Sequence, residues 1–194
     1  MARYLVRFEN RIGAVPRDRN PLSRLAYDSV KHLGEDIGNL RIGSSAVELD
    51  LLLTSAEHLE PAIRILEARI GQILTVRELD VVGPKMEKEA AVLLGIDLFN
   101  QERYWESHEA LESAWLIAEG QEKEVLQGLI LTAAAFVHLQ KGENDVTISI
   151  MDRAYQKLRN HTRSYFGIDI DKVARSVESI LLSGKPAVFR IESS

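Results

Sequence analysis

The sequence contains no cysteine. Neither a disulfide framework nor a thiolate metal centre is therefore available to this chain. It also lacks any uninterrupted apolar run near the roughly 20 residues that a membrane-spanning helix needs. Its first residues, MARYLVRFENR, carry arginines inside their apolar stretch, unlike a secretory signal. We therefore expect a cytoplasmic protein with no membrane partner.

Charge is unevenly divided along the 194 residues, which suffice for one sizeable domain or two small ones. Residues 1–85 carry as many basic as acidic side chains, so the net charge of −5 arises in the remainder. That acidic excess argues against a nucleic-acid partner for the second half. RNA contact stays open as an alternative for the N-terminal arginines, although a solvated strand and loop face is the favoured explanation for them. These are Arg3, Arg7, Arg11, Arg17, Arg19 and Arg24.

The first half has the pattern of a ferredoxin-like domain spanning residues 1–83. Period-two alternation places Tyr4, Val6 and Phe8 on one face of a first strand, which we expect to pack as core. Helical and alternating stretches then follow in the order β-α-β-β-α-β, which is that of the split βαβ fold. The predicted elements are strand 3–9, helix 22–37, strands 39–42 and 46–53, a helix ending at Ile70, and strand 73–82.

Gly83-Pro84 marks a boundary, after which the apolar period changes from two to 3.6. Residues 84–194 therefore predict an all-α helical bundle, giving an α+β chain of two domains. Gly95 and Gly128 lie singly inside helical stretches, where close helix packing best explains them. We expect Ala187–Ile191 to form a short strand that adds to an edge of the first sheet. The predicted helices are 85–99, 101–115, 123–140, 144–160 and 169–182.

The stretch from Leu98 to Trp115 holds both tryptophans and a dense group of ionisable side chains. On a helix beginning near Gln101, a step of about 100° per residue places polar and aromatic side chains on one apolar side. That side comprises Gln101, Tyr104, Trp105, His108, Leu111, Glu112 and Trp115. A separate polar sector, expected to meet water, comprises Glu106, Glu109 and Ser113.

A second polar pair, Gln127 and His138, lies on the apolar face of the helix over 123–140. These two side chains are expected to converge with His108 and Glu112 between two antiparallel helices. Three interpretations remain open: a structural polar network that fixes helix register, a pocket for a small ligand or peptide with tryptophan walls, and a metal or hydrolytic site. The candidate site residues are Tyr104, Trp105, His108, Glu109, Glu112, Trp115, Gln127 and His138.

Known catalytic motifs do not decide among these interpretations. The segment His108-Glu109-Ala110-Leu111-Glu112 differs from the zinc-protease H-E-x-x-H, because a glutamate stands where that motif requires its second histidine. No P-loop or nucleophile elbow is visible. If a metal binds, its candidate ligands are His108, Glu112 and His138, and no particular cofactor is indicated.

The sequence LFNQERYWESHEALESAW, followed by LQGLILTAAAFVHLQKGEN and MDRAYQKL, closely resembles a small helical family, domain of unknown function 309. The resemblance covers roughly residues 90–160. It implies an all-α bundle and carries no assigned activity. The chain departs from the family pattern in the turn Gly142-Glu143-Asn144 and in the residues 146–149 that follow. The matching positions are Phe99, Asn100, Tyr104, Trp105, His108, Glu109, Leu111, Glu112, Trp115, Gln127, Gly128, Leu129, Ile130 and His138.

Taken together, these patterns predict a two-domain protein that binds a small molecule, protein or peptide at a polar pocket in its helical domain. The alternative is a metal-dependent or acid–base enzyme that uses His108 and Glu112. Contact with RNA through the N-terminal arginines is a further alternative.

Overall fold

A computed structural model describes residues 2–81, 86–161 and 164–192. The fold is α+β, with a four-stranded antiparallel sheet and its helices followed by a helical region. The chain divides into two compact units, the first built mainly from residues 2–81 and the second from residues 86 onward. The predicted boundary at Gly83-Pro84 lies outside the described residues.

The first unit alternates strands and helices in the order β-α-β-β-α-β. Its sheet has the order β2-β3-β1-β4, and each neighbouring pair is antiparallel. The N-terminal strand is therefore central. The elements are β1 (Ala2–Glu9), α1 (Arg19–Val30), β2 (Asp36–Ile42), β3 (Ala46–Leu53), α2 (Leu59–Ile70) and β4 (Ile73–Glu78).

One face of this sheet forms the core with α1 and α2. Val6 and Phe8 are fully buried there, and Tyr4 packs against the same core, which confirms the predicted inner face of β1. The predicted helix 22–37 was too long, because α1 ends at Val30. A short 3₁₀ turn follows, and Gly34 takes the left-handed backbone conformation at φ 78°, so the chain can enter β2 directly.

The other face of the sheet carries a buried group of charged side chains. Glu48 on β3 lies opposite Arg41 of β2 and Arg7 of β1 in the strand register. Its two carboxylate oxygens lie 3.4 Å from Arg41 Nε and 3.3 Å from Arg7 Nε. Arg41 also donates from Nη2 to Asp50 Oδ1 at 2.8 Å. Buried charges are tolerated only when they are paired in this way.

The second unit is a bundle of five helices with a small hairpin, over the described residues. The hairpin was not predicted; it turns at Phe166 and Gly167, both with positive φ, in the loop before the last helix. None of the helices in the described ranges combines the length and apolar composition that a transmembrane span requires. The elements are α3 (Lys88–Asn100), α4 (Tyr104–Trp115), α5 (Gly120–Gln140), α6 (Asn144–Leu158), β5 (Ser164–Tyr165), β6 (Ile168–Asp169) and α7 (Ile170–Ser183).

Two helical glycines permit close packing within this bundle. A Cβ atom on Gly95 of α3 would lie 2.6 Å from Leu111 Cγ of α4. A Cβ atom on Gly128 of α5 would lie 2.5 Å from Leu158 Cγ of α6. Both distances are well below van der Waals contact, so the prediction that these glycines serve close helix packing is confirmed.

The segment after α7 does not form the predicted edge strand of the first sheet. Ala187–Ile191 has no strand assignment, and the aromatic ring of Phe189 packs at 5.6 Å from Phe99 and 5.5 Å from Phe136, between ring centroids. Asn100 at the end of α3 holds the backbone of Ile191 through two hydrogen bonds of 2.8 Å. Phe189 and Ile191 of this segment thus pack against the helical core.

Candidate functional site

Helix α4 begins three residues later than predicted, at Tyr104, after a short irregular connection from α3. The connection contains Glu102, a non-glycine residue with φ of 59°. Because of this break, the buried side of α4 does not continue the buried side of α3. The buried side of α4 is formed by Tyr104, Ser107, Leu111 and Ala114, together with Glu106.

The buried side is rotated from the predicted one because a small polar residue lies inside. Ser107 is fully buried at the close crossing with α3, where a Gly95 Cβ would lie 3.4 Å from its carbonyl oxygen. A side chain larger than serine has little room near such a crossing. Glu112 is consequently exposed, which corrects its predicted place in a buried aromatic stripe, and His108 is half-buried.

Glu106 was assigned to the solvated sector, and this assignment was wrong. Glu106 is only 5% exposed. Arg103 donates to both of its carboxylate oxygens, from Nε at 2.6 Å and from Nη2 at 2.8 Å. A bidentate guanidinium satisfies a buried carboxylate and makes its burial tolerable. The i,i+3 spacing of Arg103 and Glu106 was the available signal in the sequence.

The polar side of α4 brings together His108, Glu109 and Glu112, which we call the α4 polar cluster. Each of the three residues offers one potential ligand atom, an imidazole nitrogen or a carboxylate oxygen. These three atoms all lie within 4.8 Å of one another. His108 Nδ1 lies 3.8 Å from Glu109 Oε1, an ion-pair distance that is too long for a hydrogen bond. The cluster is open to solvent: the side chain of His108 is 29% exposed and that of Glu109 is 48% exposed.

The two tryptophans lie on α4 on either side of this cluster in sequence. Both are half-buried and pack against the helical core. The indole Nε1 of Trp115 is buried and has no hydrogen-bond partner among the described residues. Lys123 Nζ lies 4.3 Å from the centroid of the Trp115 ring, a cation–π contact that ties the end of α4 to α5.

His138, one member of the second predicted polar pair, has its carboxylate partner outside the α4 polar cluster. His138 Nδ1 lies 2.5 Å from Glu143 Oε2, so the imidazole pairs across the turn between α5 and α6. Gln127 is half-buried on α5. Of the four side chains expected to converge, the structure groups His108 with Glu112, and it adds Glu109.

Tyr104 belongs to an aromatic core rather than to a pocket wall. Its ring stacks on Phe136 at a centroid distance of 4.8 Å and meets the edge of Phe99 at 5.0 Å. The hydroxyl is buried without a hydrogen-bond partner among the described residues. Burial raises the pKa of this phenol far above its usual range, and the charge of Glu102 adds to the effect. Tyr104 is therefore a neutral packing residue at physiological pH.

The N-terminal arginines are divided among different elements of the first unit. Arg7 on β1 contacts Glu48, and Arg11 in the following loop donates to Glu9 and Gln72 at 2.6 Å each. Arg19 and Arg24 lie on α1. Carboxylate partners for Arg7 and Arg11 compete with phosphate for the same guanidinium groups.

A further buried carboxylate in the first unit was not predicted. The side chain of Glu35 is fully buried. It accepts hydrogen bonds from the backbone N–H of Thr54 at 2.6 Å and from its hydroxyl at 2.8 Å, and His58 Nδ1 lies 2.5 Å from its Oε1. Burial raises the pKa of the Glu35 carboxyl, but the hydrogen bonds from His58 and Thr54 outweigh it, so its pKa lies below the ordinary value.

Comparison with known families matches one continuous segment of the second unit. Residues 92–149 match the family model described as domain of unknown function (DUF309). The DUF309 segment contains all of α4 and α5, α3 from Val92 onward, and the start of α6 as far as Ser149. The resemblance predicted from the sequence is thus confirmed for this part of the second half. No curated protein matches the chain.

Within the DUF309 segment, the residues that pack in the core are distinct from those of the α4 polar cluster. Phe99 and Tyr104 form the aromatic core, and Asn100 binds the C-terminal segment. Leu111 packs at the α3–α4 crossing. Glu112 is exposed instead, and His108 is half-buried.

Proposed function

We propose that the helical unit is a ligand-binding module and that the α4 polar cluster, with Trp105 and Trp115 beside it, is its binding surface. The observation that carries this proposal is the grouping of one imidazole and two carboxylates within 4.8 Å on a solvent-facing side of α4. Half-buried tryptophans next to exposed polar anchors are a common composition for ligand sites.

The contacts of the polar side chains favour binding over a structural network. A structural network would bury His108 and Glu112 and satisfy them with Gln127 and His138. Glu112 is exposed, and His138 pairs with Glu143. Glu106, the buried carboxylate of α4, is satisfied locally by Arg103, which lies just before the helix.

Acid–base or metal-dependent catalysis by His108 and Glu112 is the second candidate function, and the grouping of these two side chains on one face of α4 favours it. A general base needs a second group that orients its imidazole. The nearest carboxylate contact of His108 is 3.8 Å long. This separation favours a role of His108 as a binding anchor over a role in proton transfer.

The first unit is interpreted as a ferredoxin-like domain. Support comes from its β-α-β-β-α-β element order and from the antiparallel strand order β2-β3-β1-β4. That fold hosts many functions, so the interpretation assigns none to this unit. RNA contact is not proposed, because Arg7 and Arg11 have carboxylate partners.

Intrinsic fluorescence tests the binding proposal directly, because the only two tryptophans of the chain both lie on α4. We would titrate untagged protein with a panel of nucleotides, amino acids and di- and tricarboxylic acids in the presence of a chelator, and measure tryptophan emission. We expect at least one compound to change the emission in a saturable way. His108→Ala should abolish that change, whereas His32→Ala, at an exposed position of the first unit, should retain it.

A panel without any saturable response would contradict the proposal. So would a response that His108→Ala and Glu112→Gln leave intact, since the compound would then bind away from the α4 polar cluster.

A further inference from the structure

The α4 polar cluster has the spacing of a small metal site on one helical turn. His108 and Glu112 are separated by four residues, so they lie on the same face one turn apart, and Glu109 precedes Glu112 by three. One ligand atom from each residue lies within 4.8 Å of the other two. Ligand atoms that surround one ion at about 2.0–2.2 Å lie roughly 3–4 Å apart, so rotamer changes would have to draw the three side chains slightly closer to close the site.

The donor atoms indicate which ions would bind. One imidazole nitrogen and two carboxylate oxygens form a mixed N/O set, which suits first-row transition dications such as Zn²⁺ and Mn²⁺. Ca²⁺ and Mg²⁺ are held by oxygen ligands and gain little from an imidazole. Three protein ligands also leave coordination positions for water or for a bound molecule.

Charge supports the same conclusion. Like charges three or four residues apart on a helix destabilise it by about 0.2–0.5 kcal/mol. Glu109 and Glu112 stand in that relation, with a histidine rather than a lysine or arginine as the third member of the cluster. A bound dication would remove the repulsion between the two carboxylates.

We propose that His108, Glu109 and Glu112 together bind one divalent first-row transition-metal ion on the open face of α4. This assignment rests on the proposed function, because it names a ligand for the same surface. The imidazole supplies the nitrogen ligand, and each carboxylate supplies one oxygen. Trp105 lies one helical turn before His108, so a paramagnetic ion at the cluster should quench its fluorescence.

The test uses the full-length untagged protein after treatment with a chelator and its removal. Calorimetric titration with Zn²⁺ should show one ion per chain. Mn²⁺ should bind more weakly than Zn²⁺, in keeping with the usual order of divalent affinities. Mn²⁺ should also quench tryptophan emission, and Mg²⁺ should produce no response at the same concentration.

Variants locate the site. His108→Ala and Glu112→Gln should each weaken Zn²⁺ binding about tenfold or more, since even loss of an outer hydrogen bond to a ligand costs about 10–100-fold. The matched controls are His32→Ala and Glu119→Gln, at exposed positions on the first unit and beyond the end of α4, and these should bind Zn²⁺ normally. Circular dichroism should show unchanged folding, because the substituted side chains are not in the core.

The outcomes separate this assignment from the proposed function. Failure to bind Zn²⁺ or Mn²⁺, or unchanged binding in the His108→Ala, Glu112→Gln double variant, would overturn the metal site. A saturable, His108-dependent response to the organic panel in chelator would then leave the proposed function standing. Stoichiometric Zn²⁺ binding that the cluster variants abolish would support the metal site. If no compound of the organic panel then changed tryptophan emission, with or without Zn²⁺, binding of the tested compounds would be contradicted.

Discussion

The side chain of Asn100 makes both hydrogen bonds that a neighbouring strand would make to Ile191. Its Nδ2 donates to the Ile191 carbonyl, and its Oδ1 accepts from the Ile191 amide, each at 2.8 Å. The two residues are 91 positions apart in the chain. One side chain at the end of α3 therefore holds the C-terminal segment against the helical core, where Phe189 contacts Phe99 and Phe136.

Substitution of Asn100 should release this segment. We expect Asn100→Ala to lower the free energy of unfolding by about 1–3 kcal/mol, because the backbone groups of a buried residue lose both partners. Urea unfolding would measure the loss, and hydrogen exchange should show faster exchange of the Ile191 amide. The matched variant Asn160→Ala, at an exposed position after α6, should be close to wild type. Unchanged protection of the Ile191 amide would contradict this account.

The crossing of α3 and α4 should not accept even one added methyl group. Gly95→Ala would improve helix propensity by about 1 kcal/mol at an exposed site. Here the new Cβ would lie 2.6 Å from Leu111 Cγ. Overpacking of this kind costs about 1–3 kcal/mol, so we expect net destabilisation in chemical unfolding.

Two comparisons isolate the steric origin of that effect. Ser113→Ala, at an exposed position of α4, should have little effect on stability. Gly95→Ala combined with Leu111→Ala should be less destabilising than the sum of the single changes, because the truncated leucine makes room. Additive losses would show that the two side chains do not compete for space.

The Glu35 carboxylate should make the stability of the first unit depend on pH in the acidic range. Its pKa is lower in the folded state, since hydrogen bonds from His58 and Thr54 outweigh the effect of burial. Its stabilisation is therefore fully present above the unfolded-state pKa of about 4.3, and it is lost as pH falls through the lower folded-state pKa.

Glu35→Gln should thus cost about 1.5–3 kcal/mol at neutral pH, the range for hydrogen bonds to a charged group. The difference from wild type should shrink below about pH 4 as the wild-type carboxyl takes up a proton. Chemical unfolding across this range would measure it, with Glu57→Gln at an exposed nearby position as the control. A difference that stays constant with pH would show that the charge of Glu35 is not what stabilises the fold.

Most elements of both units could be predicted because their apolar periods are regular. Strand β3 was predicted with its observed bounds, and the inner face of β1 was predicted from alternation at Tyr4, Val6 and Phe8. Periodicity fails where the buried residue is small. Ser107 occupies the inner side of α4 because α3 approaches closely at Gly95, and hydrophobicity alone would place a tryptophan there.

The composition of the candidate site could be predicted only in part. His108 and Glu112 share a helix face at a spacing that any helix would impose, so their proximity followed from sequence. The partner of His138 depended on the turn after α5, which brings Glu143 to it. The contact of Asn100 with Ile191 joins distant parts of the chain, and no local pattern reports such a pairing.

Glu48 lies between two arginines on the neighbouring strands, Arg41 on one side and Arg7 on the other. If either neighbouring strand slipped by one residue, its arginine would turn toward the apolar side of the sheet. An unpaired buried charge there would be far more costly than the loss of one ladder hydrogen bond. The three charges therefore add a second penalty against a one-residue slip of either strand, beside the one that the hydrophobic pattern already imposes.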